Sequence, residues 1–167
     1  VLALLLALSA CTTTPAPVVE TVPPLTTASP QEMVAMIRAA EGDGEGELAV
    51  RPLRDSMVED LREQAERAER QGDVTAAARA LDQALEIAPE DPALLQERAE
   101  IALLQQQPAQ AASLAERAHA LGAQVGPLCR RHWTTLEQVR LLERNAEGAA
   151  AARTQIEACR VEGPARY

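Results

Sequence analysis

The sequence predicts an all-α fold, a short helical solenoid of about two and a half repeats that follows a disordered N-terminal tether. Three observations carry that prediction. Residues 69–92, ERQGDVTAAARALDQALEIAPEDP, place Gly72 before Ala77, Leu81 and Ala84 on one helix face and then reach Pro89. A glycine for the tight turn, two small residues that let helices approach, a large one that fills the gap and a proline that stops the helix describe one half of a helical hairpin. The pattern returns at a 34-residue period, the spacing of paired-helix repeats. Finally, Pro30, Pro92, Pro108 and Pro127 each stand where an apolar-periodic stretch begins, a position at which a missing N–H costs nothing.

The chain opens with the apolar run Val1 to Ala10. This is about half of the roughly 20 residues that a helix needs to cross a bilayer, and it has the length of a signal-peptide core whose charged leader is expected upstream. Leu8 at minus three argues against the ordinary signal peptidase, which takes small residues there. Leu8, Ser9, Ala10 and Cys11 instead resemble a bacterial lipobox. The resemblance implies a signal core and lipobox over 1–11. It also implies that the Cys11 thiol is acylated, palmitate among its chains, and becomes the new N-terminus. Thr12 stands where aspartate would retain such a lipoprotein at the inner membrane, so the implied address is the outer membrane, facing the periplasm. Two acyl chains suffice for stable anchoring.

Residues 12–29 carry Pro15, Pro17, Pro23 and Pro24 among threonines and few charges. Such a composition buries no core and favours extended polyproline conformations, so it reads as a tether with a reach of up to roughly 50 Å. Ser29-Pro30-Gln31-Glu32 is a capping box with Pro at the first helical position, and Met33, Val34 and Ile37 form a short apolar stripe. That helix is expected to stop in the acidic, glycine-rich EGDGEG of residues 41–46, with Leu48, Val50 and Leu53 extended beyond it. Residues 30–56 are thus assigned to a short helix and a connection, and 57–160 to the helical domain. A tail of seven residues, 161–167, closes the chain.

Within 57–160 the first pair takes Val58 to Arg70, with Leu61, Ala65 and Ala68 inward, and then the helix after Gly72. The second opens at Asp91-Pro92, with Leu95, Ala99 and Ala102 in its first helix and Ala111, Ala115 and Ala118 in its second. Its turn departs from the first, because Gln106 stands where Gly72 stood. A third pair opens at Gly126-Pro127, places Cys129, Trp133 and Leu136 inward, and closes with GAAAARTQIEAC. It suits a terminal unit that covers the core without a further neighbour.

Gly72, Ala77, Leu81, Ala84 and Pro89 together resemble the tetratricopeptide repeat (TPR), and the likeness covers about residues 57–160. In that family partners commonly lie along the first helices of successive units, at positions two, five, nine and twelve. Here these are Glu59, Arg62, Glu66 and Glu69, then Ala93, Gln96, Glu100 and Leu103. Carboxylates dominate that set, which implies basic or neutral peptide segments as ligands. The plainer reading of the charge-dense residues 59–70 is a solvated helix face with salt bridges at helical spacing.

Composition excludes several other functions. The net charge of −9 opposes nucleic acid and anionic lipid surfaces, and with one Trp, one Tyr and no Phe there are no stacking platforms for bases. No phosphate-binding glycine loop and no Gly-x-Ser-x-Gly is present. His119 reads as a partly exposed cation at a helix end. Cys129 and His132 have the helical spacing of two metal ligands, but no second pair lies near them in sequence. The expectation is therefore a non-enzymatic adaptor without cofactor or metal, anchored by lipid and binding envelope or periplasmic proteins. Its rivals are a self-associating structural lipoprotein and, further off, a metal-binding or enzymatic protein built on Cys129 and His132.

With Cys11 assigned to lipid, two cysteines remain in a compartment that favours oxidation. Residues 127–143 and 147–160 read as antiparallel helices turning near Asn145, which brings Cys129 and Cys159 to the open end of one hairpin. A disulfide between them is expected; the alternative is two buried thiols serving as small apolar residues.

Overall fold

The computed structural model describes residues 23–42 and 55–160. The lipobox with Cys11, most of the tether, the stretch with Leu48, Val50 and Leu53, and the tail lie outside the described residues. Among those described there are seven helices and no strand: α1 (Pro30–Ala39), α2 (Ser56–Arg70), α3 (Val74–Ile87), α4 (Pro92–Leu104), α5 (Pro108–Leu121), α6 (Pro127–Leu142) and α7 (Ala146–Ala158). The fold is an all-α, TPR-like solenoid. No helix among the described residues is long and apolar enough to cross a membrane.

Local chemistry sets the helix ends. The Ser29 side chain accepts from the Glu32 amide while Glu32 accepts from the Ser29 amide, so two donors without helical partners are satisfied at the start of α1. Asp73 caps α3, Asp91 caps α4 and Asn145 caps α7, each by accepting a backbone N–H of the first turn. The turns within the three helical pairs share one geometry, with a residue at positive φ: Gly72 at 79°, Gln106 at 59° and Arg144 at 61°. Glycine adopts this region freely, whereas a residue with a Cβ is strained there. Gln106, one repeat after Gly72, therefore keeps the turn at an energetic cost.

The small-large-small pattern packs as its spacing predicts. Ala77, Leu81 and Ala84 of α3 are buried against Val58, Ala65 and Ala68 of α2, and Leu94 and Ile101 of α4 complete this cluster. A second cluster joins Ala99, Ala102 and Leu103 of α4 to Ala111 and Ala115 of α5 and Leu136 and Val139 of α6.

The second cluster also contains Val34 and Ile37 of α1. Helix α1 packs against α4 and α6, the first helices of the second and third pairs. Leu25 N–H donates to Leu141 O at 3.0 Å, and Arg130 Nε donates to Ala40 O at 2.9 Å, so α1 runs antiparallel to α6. Met33, Val34 and Ile37 are at most 3% exposed. Burying side chains of this size contributes about 1.5–3 kcal/mol each. The folded body thus takes in a helix that sequence reasoning set apart from the domain as the start of a connection.

Candidate protein-binding groove

The structure divides the predicted groove residues into two groups. Glu59, Arg62, Glu66 and Glu69 of α2 keep solvent access, while Gln96, Glu100 and Leu103 of α4 are buried. The expectation that these three contact a partner is corrected. Val34 and Ile37 share the core with Leu103, Arg38 reaches Glu100, and α6 closes over Gln96. Between α4 and α6 the groove is filled by the chain's own helix.

A continuous polar network lies beneath α1. His132 Nδ1 donates to Gln96 Oε1 at 2.8 Å, and Gln96 Nε2 donates to Glu100 Oε1 and to Thr135 Oγ1, both at 2.9 Å. Glu100, which is 0% exposed, also accepts from Arg131 Nε at 3.1 Å and from Arg38 Nε at 2.8 Å. Arg38 then turns its two terminal nitrogens to the two oxygens of Glu69, at 2.9 and 3.0 Å. This bidentate pairing joins α1 to α2. Burial disfavours the Arg38 cation, but the hydrogen bond to Glu69 and the nearby charge of Glu100 outweigh it and raise its pKa. At the other end of α1, Arg130 donates to the carbonyls of Ala40 and Glu41, and Arg131 pairs with the Glu41 carboxylate at 3.2 Å.

Between α2 and α4 the groove stays open as a cleft of about 480 Å³. Ala65, Leu81 and Ile101 form its apolar floor; Arg62 and Glu97 pair across it, and the Arg38–Glu69 pair stands along α1. The hydrogen bond to Glu97 raises the Arg62 pKa against the effect of burial. The lining holds four arginines and five glutamates. The expectation that carboxylates dominate the groove is therefore corrected: Arg38 and Arg131, which lie outside the first-helix repeat positions two, five, nine and twelve of the first two units, balance much of the acid. Sequence reasoning missed Arg38, Glu97 and Arg131. The signal in the sequence is the apolar stripe of α1, which needs a covering surface and carries Arg38 directly after Ile37.

The remaining candidates lie elsewhere. Cys129 and Cys159 meet at the open end of the α6–α7 hairpin, sulfur to sulfur at 2.00 Å with their Cα atoms 5.7 Å apart. Cys129 is thereby engaged and shares no site with His132, whose Nδ1 is taken by Gln96. Among the described residues no group of three or more His, Cys, Asp or Glu is placed to hold a metal. Burial pushes the His132 pKa down to about 3, with lesser contributions from His119 and Arg131. His119 is corrected as well: it packs edge-on to Trp133 at 4.9 Å, and burial lowers its pKa, so it is not a favoured helix-end cation.

Comparison with solved structures matches the chain to the globular C-terminal domain of P. aeruginosa LpoP, with a TM-score of 0.59 and 30% sequence identity over 63% of this chain and 99% of that domain. The chain belongs to the family of the LpoP C-terminal domain. No protein-family model matches it, and neither does any curated protein. The likeness to LpoP therefore carries the helical fold, while the tetratricopeptide resemblance rests on the repeat spacing and on the turns at Gly72, Gln106 and Arg144.

Proposed function

We propose that this chain is a non-enzymatic envelope lipoprotein that binds a protein partner. In this reading Cys11 holds the lipid at the outer membrane, residues 12–29 carry the domain into the periplasm, and the cleft between α2 and α4 receives the partner. The observation that carries it is an open, mixed-charge cleft on the groove side of a domain of the LpoP family. Net charge −9 disfavours nucleic acid as the ligand. The partner class to test first is an envelope protein exposed to the periplasm that offers a basic or neutral segment.

Photo-crosslinking in intact cells tests this proposal, with the photoreactive residue placed at Glu97 in the cleft and, as a control, at Arg153 on α7. An envelope protein captured from position 97 and not from 153 supports the site and the adaptor reading. Equal capture from 97 and 153 would move the binding surface off the cleft. Adducts formed only with a second copy of the chain would replace the adaptor reading with structural self-association.

A further inference from the structure

We infer that α1 is a built-in ligand of the groove, and that the open α2–α4 junction takes a second short helix, from a partner, with the same chemistry: an apolar face and one arginine or lysine directed at Glu66. This inference rests on the adaptor reading and specifies its ligand.

The docked α1 shows how this groove recognises a helix. Its apolar face lies in the cluster with Ala99 and Ala102, and its Arg38 bonds Glu100, a carboxylate already held on its other oxygen by Arg131 of the scaffold. One repeat earlier, at the 34-residue period, the counterparts of Ala99, Glu100 and Ala102 are Ala65, Glu66 and Ala68. Glu66 lines the cleft and is 63% exposed. Arg70, one turn further along the same helix, approaches it at 3.5 Å. An exposed pair of this kind contributes little, so Glu66 retains the capacity to accept from an incoming cation, as Glu100 does.

The surroundings define the occupant further. The Arg38–Glu69 pair ties α1 to α2 and forms one wall, so an incoming helix lies beside α1 rather than in its place. Displacing α1 would expose Met33, Val34 and Ile37 and strip Glu100 of one partner, whereas binding in the cleft requires neither. The floor at Ala65, Leu81 and Ile101 offers the apolar surface that an amphipathic helix covers. Recognition is thus the helix-in-groove mode, with affinity tuned by one charge-assisted contact.

The probe is a synthetic peptide with the sequence of residues 29–41, held helical by a staple between the exposed positions Ala35 and Ala39. It is titrated into the soluble chain starting at Thr12, whose own α1 fills the α4–α6 seat. Wild type should bind the peptide, Glu66→Lys should bind it about tenfold more weakly, a change of about 1.4 kcal/mol, and a peptide with Glu in place of its arginine should lose binding to a similar extent. Circular dichroism should be unchanged in Glu66→Lys, since the residue is exposed. Binding should weaken as salt rises. The inference is overturned if wild type fails to bind the peptide, if Glu66→Lys binds it as wild type does, or if binding appears only after Ile37→Asp empties α1's own seat. A monomer–dimer equilibrium abolished by Glu66→Lys would also overturn it, by making the surface homotypic. Crosslinks from Glu97 to an envelope protein would survive each of these failures, which separates the ligand's chemistry from the adaptor reading itself.

Discussion

Glu66 and Glu100 occupy equivalent positions in successive units, and replacing each by alanine should have very different effects. At Glu100 the substitution leaves the buried Gln96 amide short of an acceptor and takes the carboxylate from Arg131, which is only 14% exposed. Breaking one side of a buried ion pair costs about 3–5 kcal/mol. The lower end applies here, because Arg38 is 44% exposed and can turn to water. At Glu66 the change removes only a surface pair with Arg70, worth at most about 0.5 kcal/mol. Domains of this size are stable by about 5–15 kcal/mol, so Glu100→Ala removes a large share. Its melting temperature should fall by roughly 10 °C, while that of Glu66→Ala should move by no more than about 2 °C. Urea unfolding followed by circular dichroism measures both. Equal costs, or a cost below about 1 kcal/mol at Glu100, would refute the claim that α1 and α6 bury this carboxylate.

Three other expectations follow from particular residues. Gln106→Gly should stabilise the protein by roughly 0.5–1 kcal/mol by relieving a left-handed backbone at an exposed site, and Gly72→Gln should destabilise it comparably; denaturant midpoints decide. Reducing the Cys129–Cys159 pair, which closes a loop spanning 30 residues of sequence, should cost about 3–4 kcal/mol in the chain-entropy model. Two freely alkylated thiols in denatured, unreduced periplasmic protein would contradict the bridge. His132 is held neutral with a folded pKa of about 3, below its ordinary value of 6.5, so the unfolded chain binds the proton first and stability falls as pH drops below 6.5. The loss should be on the order of 2 kcal/mol between pH 7 and pH 5. A His132→Leu variant should lack this slope, and an unchanged slope in that variant would assign the acid sensitivity to other groups.

The helical pairs were legible because their determinants are local. Gly72, Ala77, Leu81, Ala84 and Pro89 act within one turn or one helix face, and the same spacing recurs in the second unit. The capping box at Ser29 likewise identified α1 and its start. The place where α1 docks was not legible. An apolar stripe of three residues states that a helix buries one face, but not which surface covers it, and α1 belongs to no hairpin that would assign its neighbour. Reading the groove from repeat positions alone therefore placed Gln96, Glu100 and Leu103 on a free surface. The charge balance failed for the same reason, because Arg38 and Arg131 enter the groove from α1 and from the third unit.

Helix α1 spans only 10 residues, and an isolated helix of that length is marginal in water. Its capping box supplies part of what it needs, and the seat on α4 and α6 supplies the rest. The dependence also runs the other way, since Glu100 at 0% exposure is compatible with folding only while cations reach it from both sides. Arg131 alone satisfies one oxygen; Arg38 satisfies the other and continues to Glu69. The docking of α1 and the burial of Glu100 are thus one cooperative event, and the second wall of the α2–α4 cleft exists only when it has occurred. A change that frees α1, such as Ile37→Asp, should therefore weaken ligand binding in that cleft although residue 37 does not line it. Hydrogen exchange would report the release as lost protection of α1 amides with α2–α3 unaffected.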